Sequence, residues 1–169
     1  IRAVTVPFYA TSSEMQVKYI VSDASIRYVF VGEQYQYDTA YRVLKLSHQL
    51  SKLIIFDPTV EKDSQDQVSL YFHEFLKLGE SFRHQAEVDS RTADYDQDDL
   101  ANILYTSGTT GLSKGVMMTH RMYRAALAAH EHAIPLSDKD VIMDFLPFTH
   151  VFERAWSYLC LATGCTLAV

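Results

Sequence analysis

The residues best suited to chemistry lie in one short segment, Ile103–Gly115, with the sequence ILYTSGTTGLSKG. Its glycines allow the backbone to turn so that successive N–H groups form a concavity for an anion. Its lysine supplies a mobile cation for phosphate oxygens, and its hydroxyls add further polar groups. The segment therefore predicts a triphosphate site. The residues expected to contact the phosphates are Thr106, Ser107, Gly108, Thr109, Thr110, Gly111 and Lys114.

Several other interpretations of this segment fail on its sequence. A Walker A loop requires Gly-Lys-Ser/Thr, whereas Lys114 stands between Ser113 and Gly115. The G-x-G-x-x-G pattern is also absent, which disfavours a dinucleotide dehydrogenase. Ser107 lacks the G-x-S-x-G context of a nucleophile, and Lys114 lacks the apolar setting of a Schiff-base lysine. A plain surface turn is the remaining alternative, and the strand that precedes the segment argues against it.

A second segment, Phe145–Arg154 (FLPFTHVFER), places His150 between a strand and a helix. Taken alone, His150 would be interpreted as a capping or core histidine, and the first segment favours a role at the site. A metal site at His150 and Glu153 is disfavoured, since one His and one Glu are too few ligands. His130 and His132 are two residues apart on a predicted helix, so they do not share a face.

The two segments resemble motifs of the adenylate-forming superfamily, which includes acyl-CoA synthetases, peptide-synthetase adenylation domains and luciferases. Tyr105–Gly115 resembles the signature loop, which usually has Pro where this chain has Ser113. Phe145–Arg154 resembles the next core motif, and its His-Val-Phe-Glu-Arg extension is most similar to long-chain acyl-CoA synthetases. Ala3–Ser13 and Val29–Tyr37 look similar to the same branch.

The resemblance implies a two-step ligase reaction. A fatty acid carboxylate attacks the α-phosphate of ATP, giving acyl-adenylate and pyrophosphate, and the thiol of coenzyme A then releases AMP. ATP, Mg²⁺ and coenzyme A are the implied cofactors and co-substrates. Thr106 matches a family threonine that helps to place Mg²⁺, and His150 matches a histidine near the substrate carboxylate. Leu146, Phe148 and Phe152 are candidates for the acyl pocket, although core packing explains them equally well.

Alternating strand and helix patterns predict an α/β fold with a mostly parallel, layered sheet and helices on both faces. The resemblance assigns this fold to part of a large N-terminal domain. The expected strands are Ala3–Val6, Arg27–Val31, Lys52–Phe56, Ala101–Thr106, Val116–Met118, Val141–Phe145 and Thr166–Val169. Apolar side chains at helical spacing predict helices around Val17–Ala24, Tyr37–Leu44, Val68–Phe75, Met122–Ala129 and Phe152–Leu159.

The chain is expected to be a fragment of the N-terminal AMP-binding domain of a longer protein, because both ends are apolar and no initiator Met is present. Residues 1–88 are interpreted as a first βα subregion, 89–99 as an acidic linker and 100–169 as the phosphate-loop subregion. The resemblance implies that the Mg²⁺-binding acid, the ribose and adenine contacts and the C-terminal domain with the catalytic lysine are absent. We therefore expect the fragment alone to be inactive.

Composition narrows the classes of partner. The net charge of −6 gives no support for a nucleic-acid partner or an anionic membrane. Two cysteines, no signal peptide and no long apolar run favour a cytoplasmic setting, with peripheral membrane contact of the parent left open. Sheet edges at both ends invite self-association, so a homo-oligomer is also left open.

Two alternatives to a long-chain fatty acid–CoA ligase remain. One is another adenylate-forming ligase, acting on an aryl or short-chain acid or transferring to a carrier protein. The other is a non-catalytic nucleotide-binding module.

Overall fold

The structure is a computed structural model that describes residues 2–106 and 112–168. The chain divides into two compact units, one of Ala10–Glu87 and one of Ile1–Tyr9 with Val88–Val169. The helix α4 (Gln85–Ala93) crosses the boundary between them in sequence. Within the described residues, none of the helices combines the length and apolar character needed to cross a membrane.

The unit Ala10–Glu87 is built on a three-stranded parallel sheet in the order β1-β2-β3. Leu53, Ile54 and Ile55 of the central strand are fully buried, as expected for a strand covered on both faces. The elements are α1 (Glu14–Asp23), β1 (Tyr28–Val31), α2 (Gln34–Leu46), β2 (Lys52–Ile55), β3 (Leu70–Tyr71) and α3 (Phe72–Glu80). The α/β class and its parallel sheet are thus confirmed.

Capping side chains fix where the first two helices begin. The Ser13 hydroxyl accepts the Gln16 N–H, and the Gln16 side chain accepts the Ser13 N–H at 2.8 Å, which is a capping box. Gln36 Oε1 accepts the N–H groups of Gly32 and Glu33 at 2.7 and 3.1 Å. These bonds satisfy backbone donors that a helix start leaves without partners.

The second unit contains an antiparallel strand pair and a parallel strand pair. The elements are β4 (Leu100–Thr106), β5 (Lys114–Thr119), α5 (His120–Ala133), β6 (Val141–Met143), α6 (Val151–Thr163) and β7 (Thr166–Ala168). β6 and β7 are parallel, and Ile142, Cys160 and Cys165 form the buried cluster beside them. β4 and β5 are antiparallel, because the connection 107–113 is too short for the crossover that parallel strands require.

Three sequence expectations differ from the structure. Val68 does not belong to α3, because the Asp66 side chain accepts the N–H groups of Val68 and Ser69 and holds a turn there. Ala3–Val6 is not a full strand and makes a single bridge, from Thr5 to Asn102. The stretch 89–99, expected to be a linker, begins inside α4.

Candidate functional site

Thr106 and Lys114 are the two predicted phosphate contacts whose positions the structure describes. They end β4 and begin β5, and they face each other as cross-strand partners. Both are exposed, so the hydroxyl and the ammonium group stand side by side at the open end of the strand pair. The other predicted contacts, Ser107, Gly108, Thr109, Thr110 and Gly111, lie outside the described residues.

Gly115 lies where the neighbouring strand leaves little room for a side chain. A Cβ atom on Gly115 would lie 2.8 Å from Ile103 Cγ2 and 3.1 Å from Tyr105 Cζ on the neighbouring strand. Any side chain would therefore force Ile103, Tyr105 or the strand pair itself to shift next to Lys114. The glycine keeps the two strands at the spacing that sets Thr106 beside Lys114.

A buried polar contact anchors the strand that carries Thr106. Asn102 and Tyr123 are 1% and 6% exposed. The Tyr123 hydroxyl lies 2.8 Å from Asn102 Nδ2, from which it accepts, and 3.2 Å from Oδ1, to which it donates. The ring of Tyr123 also meets the ring of Tyr158 edge to face, at 5.2 Å between centroids. The contact thus joins β4 to α5, and α5 to α6.

His150 is the N-cap of α6. Its ring Nδ1 accepts the Phe152 N–H at 3.3 Å. The main-chain N–H of His150 donates to the Pro147 carbonyl at 2.7 Å. An accepting Nδ1 carries no proton, so the neutral ring presents an Nε2–H donor on its other side. The capping role and the predicted role toward a carboxylate use different nitrogens and are compatible. His150 is exposed.

The segment before His150 is held at two points by α6. Arg154 directs its guanidinium to the Phe148 carbonyl, with Nε at 3.2 Å and the second nitrogen at 3.0 Å. Glu153 Oε2 accepts the Leu146 N–H at 3.1 Å. Glu153 is fully buried, and this burial, together with the nearby Asp144 carboxyl, raises the pKa of Glu153.

The three predicted acyl-pocket residues lie around the start of α6. Leu146 is partly buried, whereas Phe148 and Phe152 are 52% and 48% exposed. The Phe152 ring stacks on Trp156 at 5.9 Å between centroids. Phe148 and Phe152 are therefore not core residues of the part that the structure describes, which leaves them free for an apolar ligand or for another part of a longer protein.

The described residues offer little for a metal ion. They contain no group of three or more His, Cys, Asp or Glu side chains able to hold one. His130 Nδ1 instead lies 2.6 Å from the Ala126 carbonyl of its own helix. Thr106 could supply one hydroxyl oxygen, and Mg²⁺ at phosphate sites commonly takes most of its other ligands from phosphate and water. The described residues thus fit Mg²⁺ only as a minor contributor.

Two cavities lie away from these groups. One of about 700 Å³ is lined by polar residues of α2 and the loop after β2, including Gln34, Tyr37 and Asp63. The other, of about 560 Å³, lies beside α4, with Arg2 and Tyr95 among its lining residues. Neither is lined by Thr106, Lys114 or His150.

Several residues that shape this region gave little sign of it in sequence. Asn102 is a polar residue in an apolar strand, ANILYT, and that interruption was the available signal. Tyr123 and Asp144 gave no signal, because their partners are distant along the chain. Glu153 stood beside His150 in the motif, but its bond to Leu146 follows only from the fold.

Comparison with known proteins gives consistent matches. The family model described as AMP-binding enzyme matches residues 1–169. Long chain acyl-CoA synthetase 5 of Arabidopsis thaliana is 31% identical, over 94% of this chain and 24% of that protein. Fatty acyl-CoA synthetase A of Dictyostelium discoideum is 34% identical, over 95% of this chain and 24% of that protein.

Solved structures show the same fold. A red-emitting luciferase from Phrixothrix hirtus matches 98% of this chain and 31% of its own, with a TM-score of 0.73 and 18% identity. ATP-bound MatB from Rhodopseudomonas palustris matches 97% of this chain and 29% of its own, with a TM-score of 0.67 and 20% identity. At these identities the likeness speaks for fold alone. The chain spans about a quarter of the length of the curated relatives named above.

Proposed function

The chain belongs to the AMP-binding enzyme family, and from this premise we propose that it is the phosphate-loop part of an ATP-dependent long-chain fatty acid–CoA ligase. The whole protein would convert a fatty acid and ATP to acyl-adenylate and pyrophosphate, and then form the coenzyme A thioester and AMP. The observation that carries the proposal is the pairing of Thr106 with Lys114 at the mouth of the signature segment. The similarity to two acyl-CoA synthetases supports it.

The first step brings two anions together, so the enzyme must offset their repulsion and align them. Lys114 contributes a positive charge at the mouth of the loop, and Thr106 a hydroxyl beside it. Their placement on paired strands fixes the spacing of these groups before nucleotide arrives. Mg²⁺, when bound, would neutralise further phosphate charge, and Thr106 is the described residue that could contribute a ligand.

His150 would act on the carboxylate side. Its Nδ1 is engaged by the Phe152 N–H, so the Nε2–H is the group available to a substrate oxygen. A hydrogen bond from Nε2–H would orient the carboxylate without taking a proton from it. Leu146, Phe148 and Phe152 would line the start of the acyl pocket.

The described residues supply only part of this machinery. They place a hydroxyl and a cation near the phosphates and a donor near the carboxylate. Adenine, ribose and coenzyme A contacts would come from other parts of the whole protein. We therefore propose that residues 1–169 alone do not catalyse the reaction, and that 1–88 and 100–169 act as subregions of one nucleotide-binding domain in a cytoplasmic or membrane-associated enzyme.

The test is ATP–pyrophosphate exchange by the full-length protein with palmitate. We expect exchange that requires the fatty acid and falls at least about tenfold in Lys114→Ala and Thr106→Ala. Lys139→Ala is the matched control, since Lys139 is an exposed lysine of the same unit, and it should leave exchange unchanged. Equal effects of the two lysine variants would contradict the phosphate role of Lys114.

The same assay separates the alternatives. Exchange with an aryl or short-chain acid, but not with palmitate, would indicate a ligase of the same family that acts on that class of acid. Transfer of the acyl group to a carrier protein instead of coenzyme A would indicate a ligase of the same family with a different acyl acceptor. ATP binding without exchange for any acid would indicate a non-catalytic nucleotide-binding module.

A further inference from the structure

Two carboxyl groups meet in the interior beside the segment that carries His150. Glu153 of α6 is fully buried, and Asp144, which follows β6, is 7% exposed. The Asp144 carboxyl lies within hydrogen-bonding reach of the Glu153 carboxyl. The neighbouring cation, Arg154, directs its guanidinium to the Phe148 carbonyl instead. Two buried carboxylates in contact cannot both keep a charge without a compensating cation.

The hydrogen-bond partners show which group needs a proton. Glu153 Oε2 accepts the Leu146 N–H, and the Phe145 backbone also donates to this carboxyl. Among the described residues, Glu153 Oε1 finds no donor. An ionised carboxyl can only accept, so Asp144 cannot satisfy this oxygen while both groups are charged. A proton on Oε1, donated to Asp144, satisfies both carboxyls at once.

Ser157 does not change this conclusion. Its hydroxyl donates to the main-chain carbonyl of Glu153 at 2.9 Å and lies 3.4 Å from Asp144 Oδ2. A hydroxyl has one proton, and the shorter bond takes it. At 3.4 Å the Ser157 hydroxyl is at most a weak donor to Asp144, and a proton on the Glu153 carboxyl provides a stronger one.

We propose that Glu153 is a positioning residue for His150: its neutral carboxyl bridges Asp144 and the Leu146 backbone and holds residues 145–149 against α6. The proposal rests on the proposed function, in which His150 orients the substrate carboxylate. Glu153 itself is buried and contacts no substrate.

The geometry explains why loss of this bridge would change the position of His150. The segment before His150 is fixed to α6 at the Leu146 N–H and at the Phe148 carbonyl. Without Glu153, only the second attachment remains, and the turn closed by the Pro147 carbonyl and the His150 N–H loses support on one side. A shift of about 1 Å in an orienting group can lower a rate about a hundredfold.

Two variants of the full-length protein test the proposal. In Glu153→Gln, the amide can donate to Asp144 and accept from Leu146, whereas Glu153→Leu can do neither. In fatty-acid-dependent exchange we expect kcat to stay within about threefold of wild type for the Gln variant and to fall about 10- to 100-fold for the Leu variant, with KM for ATP little changed. Leu159→Ala, another buried position of α6, should lower stability without this loss of kcat.

Two measurements test the bridge from Glu153 to Asp144 and Leu146 without relying on an activity assay. Hydrogen exchange of residues 145–149 should be faster in Glu153→Leu and unchanged in Glu153→Gln. The infrared difference spectrum of wild type minus Glu153→Gln at neutral pH should contain the band of a protonated carboxyl group. An ionised Glu153 in that spectrum, or a Gln variant as impaired as the Leu variant, would overturn the proposal.

These readouts also separate this proposal from the proposed function. If wild type shows no acid-dependent exchange, the proposed function fails, while hydrogen exchange and the infrared band still decide whether Glu153 holds the segment. If Glu153→Leu does not fold, the Gln variant and the infrared spectrum decide alone. Wild-type kcat in a folded Leu variant would refute the positioning role.

Discussion

Tyr123→Phe should weaken the anchor of the strand that ends at Thr106. The change removes one oxygen atom and keeps the ring, including its edge-to-face contact with Tyr158. The Asn102 amide, only 1% exposed, would then lose the hydroxyl at 2.8 and 3.2 Å. A buried polar group left without its partner costs about 1–3 kcal/mol.

That free energy corresponds to an increase of about 5- to 150-fold in the equilibrium for local opening of β4, since about 1.4 kcal/mol is a factor of ten. Native-state hydrogen exchange with mass spectrometry on the full-length protein, read on peptides covering residues 100–106, measures it directly. Local exchange reports the opening of β4 itself, which a global melting curve would average with the rest of the protein.

Tyr158→Phe is the matched control, because the ring contact with Tyr123 survives and no bond to Asn102 is lost. We expect it to exchange like wild type. Replacing both members of the pair, as in Asn102→Leu with Tyr123→Phe, should restore part of the protection, since no buried polar group is then stranded. If Tyr123→Phe exchanges no faster than Tyr158→Phe, the hydroxyl does not anchor β4 and the reasoning is refuted.

Three further predictions concern stability and reactivity. Gly115→Ala should destabilise by about 1–3 kcal/mol through overpacking against Ile103, whereas Gly79→Ala, which meets nothing within 4 Å, should be neutral or stabilising; thermal unfolding compares them. Because the pKa of Glu153 is raised, the folded chain binds this proton more tightly than the unfolded chain, and stability should fall as pH rises from the usual glutamate range through the raised value. When the denaturant midpoint is measured against pH, the Glu153→Gln variant should not show this fall in stability. Burial raises the pKa of Cys160 to about 11, so alkylation mapped by mass spectrometry should spare it until the chain unfolds.

The sequence anticipated features that depend on local pattern. Apolar runs predicted six of the strands near their observed bounds, but not β3, which lies inside the expected helix Val68–Phe75; β1 and β2 pair in parallel as expected. The signature segment predicted Thr106 and Lys114 as phosphate contacts, because glycines, hydroxyls and a lysine at that spacing suit phosphate chemistry; the structure pairs the two residues across β4 and β5, and their phosphate role stays a prediction. The first helix begins directly after Ser13, a serine before a helical run, which is a common N-cap position.

Features that depend on contacts distant in sequence were not anticipated. The late start of α3 has a local cause instead: the Asp66 carboxylate accepts the N–H groups of Val68 and Ser69 and holds a turn where the helix was expected to begin. The partnership of Asn102 with Tyr123 requires knowing that α5 folds back on β4. The antiparallel direction of β5 could have been read from its short connection to β4, since parallel strands need a longer crossover.

The strand pairing that sets Thr106 opposite Lys114 also has an entropic consequence. The two residues that flank 107–113 are already joined by the ladder, so the entropy of bringing the ends of this segment together is lost on folding and not on ligand binding. In the proposed phosphate role, the ligand would therefore order a segment whose two ends are already fixed. Less conformational entropy would then be lost on binding than an open segment of the same composition would lose, and more of the contact energy would remain as affinity.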